Sequence, residues 1–317
     1  MSFLIDRHTD NDLELLRLQD KASGTTISIL PAYGALLHGF EVPLDSGRIN
    51  IINNYSGKAD LEQDLAISYK SAKLSPFACR IPDGRYSFDE KTYNFANRFN
   101  DGTAIHGLLY NKPFNLVDQF TDDQHAAIRL RHHYKKADAG FPFEYICEVK
   151  YALHPNRALQ VETTIINLTD EFIPMQDGWH PYFSLGGKVD QYEMQFRSDT
   201  MLESNEQIVP TGNTIYDDTF LNGALIGNRF LDTCFLLEHE EGVPCCVLYN
   251  PENKLQLAFY TNHRYPYLQI YTPDHRDSIA IENLSGAPNA FNNGMGLIRM
   301  SPRQTLTFNL WYQLSIG

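Results

Sequence analysis

The chain has 317 residues, 43% of them hydrophobic and 21% charged, with a formal net charge of −13. That composition can build a packed core and excludes a disordered or fibrous chain. The negative balance argues against general binding to nucleic acid or an acidic membrane, and it suits a neutral substrate, although Arg80, Arg85 and Arg98 could still hold an anionic one.

The N-terminal stretch Met1 to His8 lacks the long apolar segment of a secretory signal. No run approaches the roughly 20 apolar residues that span a bilayer. Five cysteines (Cys79, Cys147, Cys234, Cys245 and Cys246) show no Cys-x-x-Cys spacing. They read as reduced, buried thiols of a cytoplasmic protein.

In chain order, the first clear element is a helix from Ser56, a candidate cap, to Tyr69. Arg85–Phe88 and Thr92–Phe95 then flank Asp89-Glu90-Lys91 as a hairpin. A polar, turn-rich run from Asn97 ends in His106-Gly107. Residues 126–131, 145–151 and 159–163 alternate apolar and polar, and His154-Pro155-Asn156-Arg157 forms a turn between the last two.

The segment Asp177-Gly178-Trp179-His180-Pro181-Tyr182-Phe183 sets an imidazole among three rings. Proline pushes the preceding residue into extended backbone, so His180 belongs at a strand end or in a loop. The rings offer flat faces on which the C–H face of a sugar can rest. Further on, Ile279 and Ile281 fall on one face of a strand, with Ser278, Ala280 and Glu282 on the other. A carboxylate placed there is partly buried, which raises its pKa and suits it to proton transfer. Leu306, Phe308, Leu310 and Tyr312 alternate near the end of the chain. Many short strands without long βαβ units predict an antiparallel all-β protein, and no linker or repeat divides residues 1–317, so one domain is expected.

These motifs together resemble the aldose 1-epimerase (galactose mutarotase) family. The resemblance runs over about residues 25 to 315 and rests on Cys79-Arg80-Ile81 with Gly84-Arg85, and on His106-Gly107. It continues through His180-Pro181-Tyr182-Phe183-Ser184-Leu185, Asp232-Thr233-Cys234-Phe235, and Glu282 ahead of Asn289 and Asn292. The sequence departs from the family pattern at Ser75-Pro76, where Gly-Arg is usual, at Cys79 in place of asparagine, and at Leu108 in place of glycine. The resemblance implies a large twisted β-sandwich. It also implies Glu282 as base, His180 as acid and His106 as a second imidazole on the ring oxygen. Arg80, Asp232 and Tyr182 would hold the sugar.

Mutarotation opens a cyclic hemiacetal by protonating the ring oxygen while the anomeric hydroxyl loses its proton. No electrons leave the substrate, so no cofactor is expected. The histidines lack metal-ligand spacing, so no metal is expected either. Of the other histidines, His263 or His275 could border the cleft, and Arg80 could instead pair with Asp83 on the surface. The alternatives are a hexose-6-phosphate mutarotase, a carbohydrate-binding protein without turnover, and a glycosidase using Glu282 with Asp232.

Overall fold

The computed structural model describes residues 2–317. Its framework is two large antiparallel sheets and a smaller N-terminal one. The N-terminal sheet is a five-stranded meander from Phe3 to Asn50. The first large sheet has nine strands. Its centre is built from Tyr145–His154, Ala158–Asn167, Thr305–Ile316 and Leu255–Thr261. The second has eight strands, including Asp232–Leu236, Tyr267–Tyr271, Ile279–Leu284, Gly178–His180 and Ala72–Leu74, with Tyr182–Phe183 also paired to Ile279–Leu284.

The expected alternation sets the sandwich. Along Thr305–Ile316, Leu306, Phe308, Leu310 and Tyr312 are buried while Thr307, Asn309 and Trp311 are half-buried. From the opposing sheet, Phe183 packs edge-on against Phe259 (ring centroids 5.0 Å apart) and Tyr312 (5.4 Å). Phe235 meets Phe196 at 4.7 Å. Burying rings and branched side chains between two sheets supplies the main driving force for this layering.

The helix spans Lys58–Ser68, slightly shorter than expected. Ser56 is not its cap: its backbone N–H and hydroxyl both donate to Asp60 Oδ2 (2.7 and 3.0 Å), bracing the first turn from outside. Leu61 and Leu65 anchor the helix, and Tyr69 ends it in the left-handed region. A four-residue helix, Ala290–Asn293, is too short to leave a periodic signal. The hairpin over residues 85–94 turns on two residues, not three. Asp89 and Glu90 have φ of 48° and 62°, and Lys91 already pairs with Phe88. Two left-handed residues match the strands' twist, which a three-residue turn would not require. The turn at Pro155-Asn156-Arg157 forms as expected.

Candidate active site

The eight-stranded sheet has one face on the core and one on a cleft. Trp179, Phe183, Phe235, Ile270, Ile279 and Ile281 belong to the core face. On the cleft face, strand pairing lines up Tyr182, Ala280, Tyr271 and Asp232. One step along the strands, Glu282, Gln269 and Cys234 form a second row. Side chains two residues apart share a face, so both rows project together. Glu282 is thus on the face expected for it, opposite Ile279 and Ile281.

His180 ends the strand Gly178–His180, in register with Ala72, and its carbonyl accepts the N–H of Ser71 at 2.8 Å. His106 comes from another direction. The short ladder Ala104–Ile105 with Arg80–Ile81 carries it in beside Arg80, and its N–H donates to the Cys79 carbonyl at 3.0 Å. Gly107 must be glycine: a Cβ there would lie 2.3 Å from the Ser75 carbonyl oxygen, at a φ of +80°.

A cleft of about 550 Å³ is the result. His106, His180, Glu282, Arg80, Asp232 and Tyr182 all line it, as do Tyr69, Cys79, Gln269 and Tyr271. His180 Nε2 lies 3.2 Å from Glu282 Oε1, with both side chains buried. The His106 ring stands perpendicular to His180 at 4.9 Å, and Tyr182 stacks on His180 at 5.0 Å. The Glu282 Oε2, His106 Nδ1 and His180 Nδ1 atoms are buried without a hydrogen-bond partner. Asp232 Oδ1 accepts the Gln269 amide at 2.8 Å.

Burial controls the titration of this group. It raises the Glu282 carboxyl well above its usual range, with the Asp232 charge adding to the effect. It lowers His180 to about 4. His106 is also held neutral by burial first, and then by the cost of a further positive charge beside His180 and Arg80. Asp232 is raised by burial, against the pull of Arg80 and the Gln269 bond. Burial thus favours the protonated carboxyl of Glu282 and the neutral imidazole of His180.

One expectation changes. Neither His263 nor His275 reaches the cleft; both are exposed on turns, and His275 Nδ1 accepts the Asp277 N–H at 3.0 Å. Arg80 lines the cleft, where its charge acts on Asp232, while the Asp83 carbonyl accepts from Arg98 at 3.5 Å. The structure also shows what linear spacing could not. Cys79, His106 and Glu282 bring one donor atom each within 4.8 Å of one another. Tyr69, Gln269 and Tyr271 went unassigned. The alternation of Gln269 and Tyr271 with the core residues Leu268 and Ile270 is the signal that could have placed two of them.

Beneath the cleft lies a buried ion pair. Lys73 Nζ meets Asp177 Oδ1 at 2.6 Å, both side chains fully buried, and Tyr265 donates to Asp177 Oδ2 at 2.6 Å. Lys73 is the strand partner of Trp179, so this network holds the segment that carries His180.

The aldose 1-epimerase family model matches residues 14–313. The chain belongs to that family. Its reaction class is isomerisation, the interconversion of sugar anomers. The chain is 24% identical to the aldose 1-epimerase of Streptococcus thermophilus, covering 98% of this chain and 97% of that one. Its fold resembles a galactose mutarotase-like protein of Clostridium acetobutylicum (TM-score 0.87, 18% identity, covering 100% and 99% of the two chains). It also resembles galactose 1-epimerase of Lactobacillus acidophilus (TM-score 0.82, 18% identity, 99% of each chain). Among the described residues, no helix is long and apolar enough to cross a membrane.

Proposed function

We propose that the enzyme acts on an unphosphorylated aldohexose, with Glu282 as base and His180 as acid. The observation that carries this reading is the 3.2 Å contact between His180 Nε2 and Glu282 Oε1 in the cleft. In the reacting state a proton shared by the pair sits on His180, against the resting preference that burial sets, and Glu282 is a carboxylate. The anomeric hydroxyl gives its proton to Glu282, His180 gives its own to the ring oxygen, and the C1–O5 bond breaks. The pair still holds one proton, now on Glu282. Rotation about C1–C2 and the reverse transfers close the ring on the other face. The pair returns to its starting state without exchanging a proton with solvent. Positioned acid and base groups of this kind contribute about 100- to 10,000-fold in rate.

His106, neutral through burial, holds the ring oxygen in place. Arg80 donates to sugar hydroxyls, Asp232 accepts from them, and the Tyr182 ring lies against the C–H face. Arg80 is the one cation among the described lining residues, against Asp101, Asp232 and Glu282. That balance favours a neutral sugar over a hexose 6-phosphate. The apolar cluster running through both large sheets supports one domain, and five free, buried cysteines support a cytoplasmic location.

Polarimetry on freshly dissolved α-glucose and α-galactose tests the reading, with glucose 6-phosphate and a chromogenic glycoside alongside. Accelerated mutarotation of a free aldose is expected. Turnover of the phosphate alone, cleavage of the glycoside, or no acceleration for any of several aldoses would each overturn it.

A further inference from the structure

We propose that the cleft also takes a thiophilic divalent cation, held by Cys79 Sγ, a ring nitrogen of His106 and a carboxylate oxygen of Glu282, and that the bound ion stops turnover. The binding claim stands on geometry; the inhibition rests on the reading of Glu282 and His106 given above. The three donor atoms lie within 4.8 Å of one another and all three residues are buried. Two of the residues carry orphaned polar atoms, Glu282 Oε2 and His106 Nδ1, and these side chains are at least nine-tenths buried. Since His180 occupies Oε1, the second oxygen of Glu282 is left for a further partner.

A thiolate, an imidazole and a carboxylate are the donors zinc prefers, and three protein ligands with an open fourth position make a site accessible from the cleft. Tetrahedral donors sit about 3.3–3.6 Å apart, so these must draw in by up to about 1.5 Å. Rotation about the side-chain bonds of Cys79 and Glu282 can supply that. Burial pushes the Cys79 thiol up, so the ion itself must displace that proton, while the Asp232 charge felt at both Glu282 and Cys79 adds a favourable field for a cation. On binding, the Cys79 thiol releases its proton to solvent, so affinity rises with pH. A carboxylate oxygen given to the ion cannot take the anomeric proton.

The test titrates the full-length protein with cobalt(II), following the thiolate-to-cobalt charge-transfer band. Zinc(II) then competes for the site while mutarotation is measured in parallel. One equivalent should bind with the band present, turnover should fall in step with occupancy, and EDTA should restore it. Cys79→Ser should lose the band and weaken zinc binding by at least about 100-fold. Glu282→Gln, which keeps the shape of the side chain, serves as the second ligand test should Cys79→Ser fail to fold. An absent band, or zinc affinity equal to wild type in both variants, would overturn the site. Full occupancy with turnover intact would leave the site standing and overturn the catalytic roles of Glu282 and His106.

Discussion

Replacing Lys73 by methionine keeps the apolar stem and removes the ammonium group. In the native protein that group meets Asp177 Oδ1 at 2.6 Å, donates to the Gly178 carbonyl at 3.0 Å and lies 4.5 Å from the centre of the Trp179 ring. Without it, Asp177 keeps a side-chain bond from Tyr265 but no counter-charge, in a setting where burial already raises its carboxyl. Breaking one side of a buried pair costs about 3–5 kcal/mol. Unfolding entropy of roughly 2.1 cal/mol/K per residue over 317 residues amounts to about 0.7 kcal/mol/K. The Tm should therefore fall by about 4–8 °C at neutral pH. Adding Asp177→Leu removes the stranded charge and should recover most of that loss. Differential scanning calorimetry on the single and double variants reads both values. A single variant within about 1 kcal/mol of wild type would refute the argument, as would a double variant no more stable than the single.

Glu282→Gln should lower kcat by about 100- to 10,000-fold while circular dichroism stays native, because the amide cannot accept the anomeric proton. Polarimetry showing more than about a tenth of wild-type turnover would place the base elsewhere. His180→Asn should lower kcat far more than it raises KM, whereas His106→Asn should change both, since the second ring also holds the substrate before reaction. Equal kinetic damage would mean a shared acid role. Stability should also depend on pH through the pair. Glu282, raised from 4.5, loses stabilisation as pH climbs, while His180, lowered from 6.5 to about 4, gains it between about 4 and 6.5. The two offset each other up to about pH 6.5. Above that, the Glu282 loss continues alone until pH passes its raised folded pKa, at up to about 1.4 kcal/mol per pH unit. Thermal melts should thus show Glu282→Gln outlasting wild type at pH 8, and equal slopes in the two proteins would sink the idea.

The strand at 279–284 shows what local pattern can determine. Its two-residue period by itself assigned Ile279 and Ile281 to the core and Glu282 to the other face, because pleating leaves a strand no other choice. The proline after His180 likewise constrained that residue to extended backbone. The alternation at 306–312 and the turn at 155–157 were legible for the same reason: each depends on neighbours in the chain. The resemblance carried by His180 to Leu185 and its companions pointed to six residues, and the tertiary structure brings all six to one cleft. What only the tertiary structure decided depends on contacts between distant segments. Strand pairing aligns Gln269 with Glu282 and Tyr271 with Asp232, and no local signal encodes a register between strands. The left-handed backbone at Cys79 and His106 turns both side chains toward Glu282. The exclusion of His263 and His275 from the cleft, and the burial of Lys73 against Asp177, follow from how the sheets close. Burial then sets the protonation of His180 and Glu282, because the cost of a charge depends on everything packed around it and not on the residues beside it in the chain.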